Sequence, residues 1–439
     1  MSARPSVMEL TERPMATGVD VTNAFEWYLG IDWGAAEHWW CLLDARGEVV
    51  GTRAVRHDVT DVQAALGWVL QTTGAAPAMI AVGIESIRGT LVETIGERGF
   101  AVFAINPKQL DRCRDRFTAA GAKDDRRDAH VVADTLRTDQ RVFRRIRNDD
   151  PITIHLREVC RLVEDLQGDE LRLANRLREQ LYRVDAAWLA FTPAADEPWL
   201  WSVLQETPHP DAWPRLSRRR VATVLHSHRI RRITSDEVMH GLRQPRLTSA
   251  AGVSDAVATR IAALVPQLAL IRQQRLEAER QIDRLLGQLA QTESANGEPR
   301  EHRDVEILRS LPGVGRIVAA TMLTEAAAAV AARDYVMLRT FGGAAPVTTR
   351  SGKCTFVVRM RRACKRRVRQ ALYHWARTSV QHDPAAKAYY DRLRARGHHH
   401  ARALRSVADR WLRILVAMLK AGTVYDPSRF AASLGGHLA

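Results

Sequence analysis

The sequence predicts three parts: a mixed α/β sheet covered by helices, a long helical arm, and a mostly α-helical C-terminal domain. Three observations carry this. Between 25 and 150, short apolar runs of strand length alternate with stretches of helical spacing. Between 151 and 292, two long stretches each hold an apolar stripe at three-four spacing. From 303 to 425 helical spacing returns around the turn Leu311-Pro312-Gly313-Val314-Gly315. A chain of 439 residues accommodates two or three domains, and its 46% hydrophobic content supplies their cores and excludes global disorder.

In the first part, Tyr28–Trp33 reads as a strand ending in Asp32, and Gly34 and Ala35 allow a tight turn. Trp39–Leu43 and Glu48–Val55 follow as strands joined by the turn Asp44-Ala45-Arg46-Gly47. Asp61–Gln71 has helical spacing through Val62, Leu66, Val69 and Leu70. Ala78–Ile84 is a strand that delivers Glu85 at its carboxyl end. Gly89–Arg98 is a helix, Ala101–Ile105 a strand, and Pro107–Phe117 a helix opened by Asn106 and Pro107. Val142–Ile146 is the last strand. Residues 1–24 lack an apolar signal core and read as a flexible leader.

Asp32 and Glu85 both end apolar strands, and ligand sites in open α/β sheets lie beyond strand carboxyl ends. If Asp125 opens the helix after Lys123-Asp124, then Asp128 lies three residues on along the same face, and Asp124 points away. Four carboxylates in one place repel unless hard divalent cations neutralise them, and Mg²⁺ facing a phosphate is the usual occupant of such a set. Each acid also has a purely structural use. Asp32 could cap a turn, Asp125 could be a helix N-cap, and Glu85 could pair with Arg88.

The arm is read as a helix Ile154–Trp188 and a second helix Asp255–Gln291, an antiparallel hairpin or coiled-coil pair. Between them, 192–252 is a polar insert rich in proline, tryptophan and basic residues, with a short helix at Ser217–His226. Exposed apolar stripes on such an arm favour a homo-oligomer, a dimer or a tetramer. Gln291–Arg300 is a linker.

The last part opens with Val305–Leu311. The Pro-Gly-x-Gly turn and a helix Arg316–Ala332 follow, in the manner of a helix-hairpin-helix. There Gly313 and Gly315 would let backbone N–H groups approach a phosphate, although a tight helical hairpin would look the same. Ser351 then stands between Arg350 and Lys353, followed by a short apolar run and a dense basic helix carrying Arg359, Arg361, Arg362, Lys365, Arg366, Arg367 and Arg369. Trp411–Leu419 is an apolar closing helix and 426–439 a tail.

The formal net charge is +15 and the sequence pI about 10.2. A chain this basic is expected to meet a phosphate backbone, and composition cannot separate DNA from RNA. The five cysteines are scattered without a CxxC pair, which reads as reduced thiols and not as a disulfide scaffold or zinc site. No apolar run reaches membrane-spanning length, so the expected location is the cytoplasm or nucleoid, away from any membrane.

The motifs GIDWGAAEHW, GIESIRG and INPKQLDRCRDRFTAAGAKDDRRDAHVVAD resemble the RuvC-like (RNase H-like) domain of DEDD transposases. The order LPGVG, FGGAAP and Ser351-Gly352 resembles the serine-bearing C-terminal domain of the insertion-sequence group that carries both domains. Asp124 stands where that family usually has threonine, and Met360–Arg369 lacks its usual Gly-Asn pair. The resemblance implies Asp32, Glu85, Asp125 and Asp128 as catalytic Mg²⁺ ligands and Ser351 as nucleophile. Lys123, Arg126, Gly313, Gly315, Arg350, Lys353 and the seven cations from Arg359 to Arg369 would contact nucleic acid. It further implies an oligomeric transposase or recombinase, in which acids and serine form one composite site acting on donor and target DNA under a structured guide RNA. Two other functions would use the same residues. A RuvC-like junction endonuclease would hydrolyse DNA with the four acids alone, and a non-catalytic scaffold would only hold nucleic acid.

Overall fold

The computed structural model describes residues 25–85, 89–106, 110, 124–146, 150–291, 300–349 and 357–428. The chain divides into two units, Met1–Asp149 and Asp150–Ala439.

The first unit is built on a six-stranded sheet. Its strands are β1 (Trp27–Asp32), β2 (Glu37–Asp44), β3 (Val49–Arg56), β4 (Ile80–Ile84), β5 (Ala101–Ala104) and β6 (Arg144–Arg145), in the order β3-β2-β1-β4-β5-β6. β1 pairs in parallel with β4, and β4 with β5, while the outer pairings are antiparallel. This is the expected mixed sheet. The β2–β3 turn closes as its composition predicts: Asp44 Oδ1 accepts from the N–H groups of Arg46 and Glu48, both at 2.9 Å. Of the helix expected at Pro107–Phe117, only Leu110 is among the described residues.

Strand side chains alternate between the two faces. Leu29, Ile31, Val82 and Ile84 pack with Leu66 and Val69 of α1 (Val59–Thr73) and with Leu91 and Ile95 of α2 (Thr90–Glu97). Tyr28, Ala81 and Phe103 face the other way, onto Ala129, Val132, Ala133 and Leu136 of α3 (Asp125–Asp139). The buried Cys41 on that side has its thiol pushed up to about 11 by burial, as suits a reduced core thiol.

Gly30 lies midway along β1, directly beneath α3. A β-carbon there would sit 2.1 Å from the carbonyl oxygen of Ala129 and 2.5 Å from the backbone nitrogen of Ala133. Its parallel partner Gly83 is under the same helix, with Val132 2.9 Å from the β-carbon position. Small residues on both sides let α3 ride low over the strand ends. Gly30→Ala should force helix and strand apart, costing about 1–3 kcal/mol as overpacking does. The expected observation is a lower melting temperature together with weakened divalent-ion binding. A variant with unchanged stability would contradict the close packing.

In the second unit, α4 (Pro151–Val184) and α9 (Val253–Gln291) run antiparallel, as expected for the arm. His155 meets Gln281 at one end, and buried Glu170 receives Arg272 and Arg275 at 3.0 and 2.7 Å further along. The paired stripes are Leu156, Val159 and Val163 against Ile282, Leu286 and Leu289, then Leu173, Leu177 and Leu181 against Ile261, Val265 and Leu268. Two expectations need correction. The first helix ends at Val184 and not at Trp188, because Asp185 takes an extended backbone (φ −161°, ψ 105°) and its carboxylate accepts from the Ala187 N–H. The chain then restarts as α5 (Ala187–Phe191) and turns Trp188 into a nest with Trp199 and Trp213, at ring separations of 6.2 and 5.8 Å. Second, α9 is long and apolar enough to cross a membrane by length and composition, so one apolar run does reach that length. Its buried stripe faces α4 and the insert, and its arginines hold Glu170.

The expected polar insert shares a hydrophobic core with the arm. Helices α6 (Pro198–Glu206), α7 (Arg218–Ser227) and α8 (Ser235–Leu242) bury Trp199, Trp201, Leu204, Val221, Leu225 and Met239 against the arm. Its basic residues lie outside that core: Arg218, Arg219 and Arg220 are all exposed.

The C-terminal portion comprises α10 (Arg300–Ser310), α11 (Arg316–Glu325), α12 (Ala327–Ala331), α13 (Tyr335–Phe341), the strands β7 (Val347–Thr349) and β8 (Val357–Arg359), α14 (Arg366–His382), α15 (Pro384–Ala395) and α16 (His400–Ala421). The helix expected at Arg316–Ala332 is broken at Ala326 into α11 and α12. The closing helix is longer than its apolar run. Trp375 and Trp411 stack at 6.0 Å in the centre, and Trp411 donates to Ser379 Oγ at 2.8 Å.

Candidate active site

Asp32 ends β1, and the even positions Tyr28, Gly30 and Asp32 share the face covered by α3. Helix α3 begins over that strand end. Asp124 is its N-cap, with its carboxylate accepting from the Arg126 N–H at 3.1 Å. Asp125 is therefore the first helical residue and not the cap. This also accounts for the residue at 124, since threonine and aspartate serve alike as N-caps. Asp125 and Asp128 fall in the first turn, where the helix dipole favours negative charge. Asp125 is exposed and Asp128 is 5% exposed.

One carboxylate oxygen from each of Asp32, Asp125 and Asp128 lies within 4.8 Å of the other two. Magnesium ligand oxygens sit about 2.1 Å from the ion and so about 3–4 Å from one another. The three acids thus fit a hard divalent cation with only small side-chain adjustment. Glu85 is not in this close group. It follows Ile84, the β4 partner of Ile31, so the register carries it to the position beside Asp32. The suggested Glu85–Arg88 pair and Lys123 involve residues outside those described.

The loop after Asp32 holds groups that reading the motifs had not singled out. His38 is fully buried. Its Nδ1 accepts from the Gly34 N–H at 3.2 Å, so the ring proton is on Nε2, which donates to His57 Nδ1 at 2.8 Å. Burial first, and then the neighbouring His57, hold the His38 pKa below its ordinary value and keep the ring neutral. Trp33, next to Asp32, is 50% exposed. The signal available in the sequence was a tryptophan directly behind a strand-terminal acid.

The second unit contains the basic stretch. Residues 350–356, which include Arg350, Ser351 and Lys353, lie outside the described residues. The strands on either side pair antiparallel, Thr349 with Val357 and Val347 with Arg359. The cations from Arg359 to Arg369 do not form one helix. Arg359 is on β8, Arg361 and Arg362 lie in the connection, and α14 begins after Lys365, its N-cap. Their surroundings differ as well. Arg359, Arg362 and Arg366 are exposed. Arg367 pairs with Glu164 at 2.6 Å, and Arg369 donates to the Arg362 carbonyl at 3.0 Å. Lys365 donates to the Glu325 carbonyl and lies 4.4 Å from the centre of the Phe341 ring. Those bonds give Lys365 an internal role.

Gly313 and Gly315 also separate. Gly313 has φ +81°, and a β-carbon there would sit 2.6 Å from the Ser379 backbone nitrogen. Trp375 donates to the Pro312 carbonyl beside it at 3.0 Å. Gly313 thus lets the turn close onto α14. Gly315 caps α11 without a side-chain bond, with open space where a β-carbon would be.

Two family models match separate stretches of the chain. A family model described as a transposase, of the DEDD type found with IS110, matches residues 29–185. A second, described as transposase of the IS116/IS110/IS902 family, matches residues 305–391. Together they span more than half the chain. The "Putative transposase y4uE" of Sinorhizobium fredii is 44% identical over 53% of this chain and 64% of its own length. The "Mini-circle putative transposase for IS117" of Streptomyces coelicolor is 29% identical over 93% of this chain and 97% of its own. An uncharacterised 42 kDa protein of insertion element IS900 in Mycobacterium paratuberculosis is 25% identical over 92% and 98%.

Proposed function

Because the chain belongs to the IS110/IS116/IS902 family of transposases, enzymes of phosphoryl transfer, we propose that it cuts and rejoins the DNA of a mobile element, using Asp32, Glu85, Asp125 and Asp128 with Mg²⁺ and Ser351 as the attacking group. The observation that carries this reading is the convergence of Asp32, Asp125 and Asp128 at one end of the sheet. Bound Mg²⁺ supplies Lewis acidity and neutralises charge on the reacting phosphate. Three carboxylates on a strand end and one helical turn hold their oxygens in fixed positions, so little reorganisation accompanies reaction.

Ser351 Oγ bonds to phosphorus as the bond from phosphorus to the 3′ oxygen breaks. The serine gives up its proton and the leaving 3′ oxygen gains one. The product is a 5′-phosphoserine link that conserves the phosphodiester for rejoining. Arg350 and Lys353 flank the serine in sequence and would balance the phosphate charge. The exposed arginines Arg359, Arg362 and Arg366 suit contacts with phosphate backbone. A structured RNA is the proposed guide between donor and target DNA, and the paired arm the proposed site of self-association.

Incubating the purified protein with end-labelled DNA and Mg²⁺, together with any RNA that co-purifies, tests the reading. The expected products are rejoined strands and a covalent protein–DNA adduct, both lost on chelation. Cut DNA without an adduct would instead identify a hydrolytic junction nuclease.

A further inference from the structure

We propose that Trp33 is a base-stacking platform beside the cutting site, taking one unpaired nucleobase next to the scissile phosphate. The proposal rests on the reading of the acids given above and adds a residue to it. All eleven tryptophans of the chain are among the described residues, and Trp33 is the most open to solvent, at 50%. Seven of the others are 3% exposed or less. A half-exposed indole offers a broad apolar face on which a flat partner can stack. Its neighbour in the chain is Asp32, one of the three clustered acids, so whatever covers Trp33 lies close to the reacting phosphate.

The turn carrying the indole is fixed and not loose. The Gly34 N–H donates to His38, His38 donates to His57, and the His57 N–H returns to the Ala36 carbonyl at 2.9 Å. A β-carbon on Gly34 would sit 2.2 Å from the Glu37 carbonyl, so the turn is also as tight as a glycine permits. The buried His38 ring stands 6.3 Å from the Trp33 ring, tilted by 32°, and braces it from inside. A rigid aromatic face beside an acidic metal-binding cluster is the arrangement that stacks a base. Stacking tolerates any base, because each has a π-face, so Trp33 adds affinity without sequence choice.

The test uses the full chain with Ca²⁺ in place of Mg²⁺ and short single-stranded DNAs, each carrying one 2-aminopurine at a successive position. In the wild type, at least one position should lose fluorescence on binding through stacking. Trp33→Ala should abolish that quenching and weaken binding about tenfold. Trp33→Phe should restore part of both, and all three proteins should share a melting temperature. Quenching that survives in Trp33→Ala, or none in the wild type, overturns the proposal. Asp125→Asn addresses the cutting chemistry and should keep the quenching, so failure of the acidic site and failure of the platform are read separately.

Discussion

Asp125→Asn should lower Mg²⁺-dependent strand cutting by about a thousandfold or more while leaving the fold intact. The reasoning starts from where the side chain sits. Asp125 is exposed in the first turn of α3, and the helix is capped by its neighbour Asp124. Losing one charge near the helix start costs about 0.3–1 kcal/mol of dipole interaction. Removing it from a set of three clustered carboxylates also relieves their mutual repulsion in the metal-free protein. The two effects oppose each other, so the metal-free melting temperature should hardly move. The bound-ion state loses an anionic ligand. Charge stabilisation by a metal site is worth several kcal/mol, and each 1.36 kcal/mol is about tenfold in rate. Calorimetric titration with Mg²⁺ or Mn²⁺ should show weaker binding in the variant, and Mg²⁺ should stabilise it less than the wild type. Full cutting activity would remove the acids from the mechanism. Asp128→Asn is a less clean test, since Asp128 is buried against the sheet and its loss combines ligand and packing effects.

Ser351→Ala should abolish the covalent protein–DNA adduct and reduce strand exchange on the order of 10⁴-fold or more, as loss of a covalent nucleophile does. Metal binding should be unaffected, because the clustered acids belong to Asp32 and to the first turn of α3, far along the chain from 351. The melting temperature should shift by no more than about 2 °C, the scale of a minor substitution. The two variants therefore fail differently: Asp125→Asn in metal binding and cutting, Ser351→Ala in adduct formation with metal binding intact. Residual cutting without an adduct in Ser351→Ala would show water replacing the serine. Undiminished strand exchange would exclude the serine as nucleophile.

Several features were legible in the sequence because they are local. A run such as YLGIDW fixes a buried strand with an acid at its end, and the spacing of Asp125 and Asp128 fixes one helical face. The arm was legible because its stripes repeat over many turns. The misread features were those decided by distant partners. Where α4 ends at Val184, Asp185 turns the chain and Trp188 leaves the helix line to meet Trp199 and Trp213, further along the sequence. The insert looks polar because its prolines and arginine runs interrupt its apolar residues, although those apolar residues include large tryptophans that meet the arm. The basic stretch looked like one helix because like charges carry no periodicity of their own. The turn at Lys365 was set by Glu325 and Phe341, which lie elsewhere in the sequence.

The sequence by itself determined the chemistry on offer: which side chains are acidic, where strands end, where a serine stands between cations, and how strongly the chain attracts phosphate. Those are properties of composition and short-range spacing. Only the tertiary structure decided that Asp32 meets Asp125 and Asp128, because the meeting depends on α3 packing low across β1. That packing is possible where Gly30 and Gly83 leave room for helix backbone and the small side chains Ala129 and Ala133 come down onto the sheet. In the sequence those glycines look like weak points in two strands. In the fold they are the reason that acids from separate elements can share one ion.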